Sequence, residues 1–381
     1  MIVERPGLER RILSSLEAGR IPVVLGGCGS GRSSLLLRLA PLLGSQRAQY
    51  LDLAAAATTP ERCLAAIQVA SRVRPAGQPN LDRPTSPRAA FDALMTFFDQ
   101  STPLAGAPAV FLLDEALDIR TFENFPGLRH VQRDFIARLA ASPSRFVLAS
   151  KFTSRAHRML RDAPARFEVV HVPALSVEEV EALAARVDGG RRDVAAQAPL
   201  IAALAAGRAT YAQLLLEASA SMGSSADPVA AMAALSAPDG RLTARCRESY
   251  EFRLHRARGY GALKGILGIL AEDEPLNLTE ISQHLGRTPG STKDYLSWLE
   301  DVDLVTMRGK RYTFEDPILR LYVRLHTRPV PPTDADVVRE VRAYAQARAQ
   351  HAPAPAAVTV AAAGPDRSAD TGSASGIIEI D

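Results

Sequence analysis

No apolar run in the 381 residues approaches the roughly 20 needed to cross a bilayer, which argues against a membrane-spanning helix. The opening Met1-Ile2-Val3-Glu4-Arg5 lacks the charged, apolar and small-residue succession of a secretory signal, so the expected address is cytoplasmic, with no membrane partner. Cysteine is scarce. Cys28, Cys63 and Cys246 are odd in number and far apart, with no CxxC or Cys/His cluster, which excludes a disulfide framework and a sulfur-ligated metal site. Excess charge of one sign is also lacking: 45 Lys and Arg face 42 Asp and Glu, a net charge of +3, so any nucleic-acid surface must be local. What is present is average for a globular protein, 47% hydrophobic and 23% charged residues, in a chain long enough for two or three domains at roughly 100 to 200 residues each.

Residues 1 to 175 alternate apolar runs with helical stretches, the rhythm of a mostly parallel sheet covered on both faces. Five runs, 21–25, 48–53, 109–113, 145–149 and 167–172, read as strands, and their near-continuous hydrophobicity suggests burial on both faces. Residues 176–238 are Ala/Leu-rich and read as an all-helical lid that starts with a capping box of Ser176 and Glu179. Residues 239–328 read as helices followed by a hairpin, 304–307 and 311–314 joined through Arg308-Gly309-Lys310, the pattern of a winged helix. A helix or linker follows over 329–350. Residues 351–381 are too poor in large apolar side chains to offset ordering entropy and read as a disordered tail. The apolar end Ile377-Ile378-Glu379-Ile380-Asp381 is a candidate peptide for adding a strand to a protein partner.

Gly26-Gly27-Cys28-Gly29-Ser30-Gly31-Arg32-Ser33, between the first strand and a helical run beginning at Ser34, fits the phosphate-loop pattern G-x-x-x-x-G-K-[ST] except that Arg32 replaces lysine. Glycines let the backbone turn its N–H groups toward a phosphate, and the helix N-terminus adds partial positive charge. Ser33 would place its hydroxyl on Mg2+. Arg32 keeps the charge, but a planar guanidinium follows a transferring phosphate differently from an ammonium, so binding is expected to survive better than hydrolysis. About 80 residues on, Ala109 to Leu113 is an apolar strand ending in Asp114-Glu115, the Walker B arrangement. Asp114 would hold Mg2+ through water, and Glu115 would orient and deprotonate the attacking water.

Together these residues resemble the archaeal-type ATPase group of the AAA+ and STAND-like P-loop proteins, over roughly residues 4 to 327. The resemblance implies an AAA+-like α/β fold, with a parallel five-stranded P-loop sheet of the ASCE kind, a helical lid and a C-terminal winged helix. It also implies ATP and Mg2+ as ligands, with hydrolysis to ADP and phosphate. Glu4-Arg5-Pro6-Gly7-Leu8-Glu9 is similar to the group's entry box near adenine. The loop residues Gly26, Gly27, Cys28, Gly29, Ser30, Gly31, Arg32, Ser33 and Ser34 would hold the nucleotide, and Arg32 and Glu115 would act in catalysis. By the resemblance Ser150 takes the polar sensor position at the end of the fourth strand. Arg166 takes that of a trans-acting arginine finger, which implies a homo-oligomer, with Arg155, Arg158 and Arg161 as rivals. Arg208, in Ala206-Gly207-Arg208-Ala209-Thr210-Tyr211, matches the lid signature without its proline and is the second-sensor candidate. Tyr312 to Tyr322, with Asp316-Pro317 at its centre, matches the segment that ends the winged helix in this group.

Leu278 to Gly286, capped by Thr279, and Ser291 to Leu299 read as a helix-turn-helix, with His284 and Trp298 assigned to its core. Ser291, Thr292, Lys293, Arg308, Lys310 and Arg311 are the candidate DNA contacts, opposed by Asp294, Glu300, Asp301 and Asp303. Arg241, Arg245, Arg247, Arg253, Arg256 and Arg258 form a second basic cluster that would add charge. The expected function is an ATP-dependent switch that moves or presents the winged helix. The alternatives are an ATP-binding regulator or adaptor with slow turnover, and a DNA-binding transcription or mobile-element factor.

Overall fold

A computed structural model describes residues 3–75, 84–102, 108–187, 196–222, 227–255 and 259–350. The five apolar runs form one parallel sheet: Ile21–Leu25 (β1), Ala48–Asp52 (β2), Val110–Asp114 (β5), Arg145–Ser150 (β6) and Phe167–His171 (β7), in the order β2-β5-β6-β1-β7. A two-residue antiparallel pair, Arg74–Pro75 (β3) with Ser101–Thr102 (β4), lies apart. Every residue of β1 and β5 is buried, as uninterrupted hydrophobicity requires of strands covered on both faces. Alternate residues serve opposite cores. Val24, Leu112 and Val147 meet Ile12 and Leu16 of Pro6–Glu17 (α1) and Leu36 and Leu39 of Arg32–Leu42 (α2). On the other face Phe111 and Phe146 stack at 5.8 Å and meet Phe98 of Pro87–Gln100 (α5). Burying each such ring stabilises the fold by about 2 kcal/mol.

Short helices Leu53–Ala56 (α3) and Pro60–Ala70 (α4) precede α5; a 3-10 helix, Ala116–Asn124, and Val131–Ala141 (α6) connect β5 to β6. Thr153–Leu160 (α7) follows β6. Because β6 lies between β1 and β5, with Leu25 paired to Ser150 and Leu113 to Leu148, the C-terminal ends of these three strands converge on one edge of the sheet.

The next segment is helical: Val177–Val187 (α8), Ala198–Leu204 (α9), Ala209–Ser221 (α10) and Pro228–Leu235 (α11). Its first helix starts at the anticipated reciprocal cap, where the Glu179 amide donates to Ser176 Oγ (3.2 Å) and the Ser176 amide to Glu179 Oε2 (2.9 Å).

The C-terminal module comprises Arg241–His255 (α12), Tyr260–Glu272 (α13), Leu278–Leu285 (α14), Pro289–Asp301 (α15) and Pro317–His326 (α16), with a small antiparallel sheet ordered β8-β10-β9 from Leu276–Asn277 (β8), Val305–Arg308 (β9) and Arg311–Phe314 (β10). Gly309 and Lys310, at φ +55° and +65°, make the two-residue turn whose twist suits a hairpin. A last helix, Asp334–Gln350 (α17), packs back on the helical segment: Tyr344 Oη donates to Leu204 O (2.9 Å) and Arg348 Nε to Ala203 O (3.0 Å).

Two local expectations are corrected. Asn277, not Thr279, caps α14, because its side chain accepts the Glu280 amide (3.0 Å) while Glu280 returns a bond to the Asn277 amide (2.7 Å). His284 is exposed on α14 and takes no part in the core. Trp298 is half-buried against it. The expected docking peptide Ile377-Asp381 and the rest of the tail lie outside the described residues.

Candidate nucleotide-binding site

The glycine-rich loop leaves the end of β1 and enters α2 through Gly31, at φ +95°, with Gly29 at +78°; side-chain-bearing residues rarely adopt either conformation. The approach is tight as well as bent. A Cβ on Gly27 would fall 2.4 Å from Arg208 Nη1, and one on Gly26 would fall 2.7 Å from Ser30 Oγ. Cys28 is half-exposed in the loop, and Ser33 and Ser34 stand in the first turn of α2, Ser33 exposed. A backbone cradle over a helix N-terminus, with a free hydroxyl at Ser33 and a buried carboxylate across from it on the sheet, is a donor and acceptor set that fits a nucleoside triphosphate with Mg2+. That ion would neutralise phosphate charge when bound.

Asp114 ends β5 almost fully buried. Its Oδ1 accepts the Glu115 amide (3.0 Å) and its Oδ2 the Tyr50 hydroxyl (2.9 Å). Burial first, then the neighbouring Asp114 charge, holds the Tyr50 pKa well above its usual value, so the hydroxyl remains a donor. Glu115 turns the chain in the left-handed region, φ +48°, a costly conformation for a residue with a side chain, and its carboxylate is gripped from two sides. Arg32 Nη2 donates to Oε1 (2.8 Å), while the Lys151 amide donates to Oε2 (3.1 Å) with Lys151 Nζ at 3.6 Å. Arg32 also donates from Nη1 to Gly27 O (2.9 Å), so its guanidinium closes the loop onto Glu115.

Ser150, the sensor candidate, is buried at the end of β6, and its Oγ accepts the Phe152 amide (3.1 Å). Arg166 precedes β7, at the sheet edge away from the loop. Its guanidinium donates to the carbonyls of Gly19 (2.9 Å), Ala140 (2.8 Å) and Ser142 (3.1 Å), which is a structural clasp within this chain. Among its rivals, Arg158 is hydrogen-bonded to Asp301 and Arg161 is exposed. Arg155 lies over the Phe152 ring, its pKa pushed down to about 10 by burial first and then by Arg120 and Arg158.

Arg208 joins three parts of the chain. Nη1 donates to Cys28 O in the loop (2.7 Å), Nη2 to Glu315 O (3.2 Å), and Nε stands 3.6 Å from Asp316 Oδ2. Asp316 is buried, caps α16 through the Ile318 amide (3.0 Å) and accepts the Tyr211 hydroxyl (2.9 Å). The expected Asp316-Pro317 motif thus has a packing reason: its carboxylate ties α16 to α10. A second link follows Lys151. The Asp303 carboxylate, two residues past α15, accepts the Thr153 and Ser154 amides that begin α7, while Arg253 donates to the Asp303 carbonyl (2.6 Å).

The DNA candidates do not share one fate. Lys293, Arg308 and Lys310 are exposed and Ser291 half-exposed, whereas Arg311 is drawn to Pro275 O (2.8 Å) and Glu280 (3.5 Å). Thr292 is fully buried with its hydroxyl on Thr288 O (3.0 Å), so it is not a surface contact. In the second basic cluster Arg253 is buried, and Arg241 and Arg245 pair with Glu217 and Glu248. Arg256 and Arg258 lie outside the described residues. Of the opposing acids, Asp303 faces α7 rather than solvent.

Sequence reasoning missed Lys151, which no motif marks, and the Asp303 cap, which depends on a contact across 150 residues of sequence.

No family model and no curated protein matches the sequence. Solved structures do match the fold. The Walker-type ATPase of Pyrococcus abyssi superposes with a TM-score of 0.61 at 16% identity, over 85% of this chain and 96% of that one. The RuvB Holliday junction branch migration motor of Thermotoga maritima covers 82% of this chain and 92% of its own at 15% identity and a TM-score of 0.43. The Orc1 protein of Aeropyrum pernix, solved in complex with DNA, covers 89% and 94% at 16% identity and a TM-score of 0.43. The α/β fold with its five-stranded parallel sheet is that of the P-loop ATPases. Among the described residues no helix is long and apolar enough to cross a membrane.

Proposed function

We propose that this chain is an AAA+-like ATPase of the archaeal-type group that binds Mg-ATP in the loop 26–34 and uses its occupancy to shift the C-terminal module, read as a winged helix. The loop, Ser33, Asp114 and Glu115 together support the nucleotide part of this reading. In the reaction, the oxygen of a water held by Glu115 bonds to the γ-phosphorus, its proton passes to the Glu115 carboxylate, and the bond to the β,γ-bridging oxygen breaks, leaving ADP with that electron pair. Asp114 and Ser33 are the residues that would hold Mg2+, which would neutralise phosphate charge when bound.

The observation that carries the switch is the triple attachment of Arg208 to the loop carbonyl of Cys28, the Glu315 carbonyl and the Asp316 carboxylate. A guanidinium lying across Gly27 competes for the space and charge of a phosphate. Nucleotide in the loop gives Arg208 a stronger anionic partner than Asp316 at 3.6 Å, and its departure frees the hold on α16. Resting Glu115 is meanwhile locked by Arg32, which fits slow basal turnover.

The chain has one tryptophan, Trp298, and it lies on α15 of the moving module. Saturating Mg-ATP is expected to change its emission, and Arg208→Ala is expected to bind nucleotide with that change lost. Nucleotide binding with Trp298 emission indifferent in the wild type would refute the switch while leaving the ATPase reading intact.

A further inference from the structure

Lysine is almost absent from this chain. Four of the 45 Lys and Arg residues are lysine, at positions 151, 264, 293 and 310, so Lys151 is alone in the first 263 residues. Arginine has taken every other basic position of the nucleotide-binding half, including position 32 of the phosphate loop. The one lysine kept there stands at the end of β6, the strand between the loop strand β1 and the Asp114-Glu115 strand β5.

Its placement is specific. Nζ is 3.6 Å from Glu115 Oε2 and 3.6 Å from Asp118 Oδ2, its side chain is 14% exposed, and the rings of Phe152 and Phe252 lie 5.1 and 4.9 Å from the ammonium. Lys151 also shares a cavity of about 290 Å³ with Cys28 and Gly29 of the loop and Thr210 of α10. A strongly hydrated ammonium held largely out of water beside a phosphate cradle is poised to exchange carboxylate for phosphate. Arg32 is less well placed for this. Its two terminal nitrogens are spent on Gly27 O and Glu115, and a planar fork cannot keep both partners while following a moving phosphoryl group.

We propose that Lys151 is a further catalytic residue: it places its ammonium on the γ-phosphate and supplies, from the end of β6, the point charge that the loop supplies where its seventh residue is lysine. This rests on the ATPase reading above. As the water oxygen bonds to the γ-phosphorus and the bridging-oxygen bond breaks, charge spreads over the γ-phosphate oxygens and the departing β-phosphate. Lys151 holds that charge, and moving Nζ from Glu115 to the phosphate removes one of the cations on Glu115, while the bonds from Arg32 and the Lys151 amide keep the carboxylate in place beside the water.

The test compares wild type, Lys151→Gln, which keeps a polar side chain of similar reach without charge, and Lys151→Arg, which keeps charge. Four quantities are read: thermal midpoint, affinity for Mg-ADP, affinity for Mg-ADP with aluminium fluoride (a mimic of the transferring phosphoryl group) and Mg-ATP turnover. Expected for Lys151→Gln are an unchanged thermal midpoint and an ADP affinity within about twofold of wild type, with aluminium-fluoride affinity and turnover both lower by about 100-fold. Lys151→Arg recovers part of each loss. Unchanged affinity for the aluminium-fluoride complex in Lys151→Gln overturns the proposal, as does an equal loss of ADP affinity, which would assign Lys151 to shaping the pocket. Wild type that binds no nucleotide overturns the ATPase reading itself, an outcome visible before any variant is made.

Discussion

Asp316 shows how much one carboxylate can organise. It caps α16, accepts the Tyr211 hydroxyl and faces Arg208, which in turn holds the glycine-rich loop at Cys28 O. Each contact alone contributes about 1 kcal/mol, but the group is buried, so its removal also leaves a guanidinium without its counter-charge. Asp316→Ala is expected to cost about 3 kcal/mol in urea unfolding, whereas Glu315→Ala, whose relevant contact is a backbone carbonyl, is expected to cost little. Equal effects of the two would mean that the carboxylate is not the hub. The motif around Asp316 was visible in the sequence; its partners were not. Hydrogen bonds between residues 105 positions apart leave no local pattern. The same limit explains Arg253 and Thr292, whose polar types suggest surface positions although packing buries both.

At the scale of elements, the strands were legible because burial on both faces writes itself as continuous hydrophobicity, and their expected bounds agree with the sheet to about one residue. The β3–β4 pair was not, since two residues per strand carry no period. The start of α14 was misplaced because Asn277 and Thr279 are both good caps, and only the Glu280 side chain, which reaches back to the Asn277 amide, decides between them. Helix α7 is the element with most at stake. Its N-terminus borrows a carboxylate from the C-terminal module, Asp303, and its preceding residues include Lys151 and Ser150. Asp303 sits at φ +50°, where glycine is comfortable, so Asp303→Gly removes the carboxylate without adding backbone strain. Amide exchange at Thr153 and Ser154 is expected to quicken by roughly fivefold in that variant, for a cap worth about 1 kcal/mol, with the β6 amides unaffected. Unchanged exchange at both amides would show that α7 does not depend on the module.

At the scale of the molecule, several attachments among the described residues connect the sheet edge that bears the loop to the C-terminal module: Arg208 to Asp316 and Glu315, Asp303 to α7, Arg158 to Asp301 and Lys151 to the Phe252 ring. Arg208 and α7 lie within a few residues of groups expected to face the γ-phosphate, so these attachments would carry the proposed switch from the loop to the module. The central claim beneath that switch is that the altered loop still binds and hydrolyses ATP. Mg-ATP turnover and labelled-nucleotide binding, measured on wild type beside Arg32→Lys and Glu115→Gln, test it most directly. Binding is expected of all three proteins, with slow turnover by the wild type, faster turnover by Arg32→Lys as the lock on Glu115 loosens, and at least about a 100-fold loss in Glu115→Gln. Nucleotide binding by none of the three would contradict the claim.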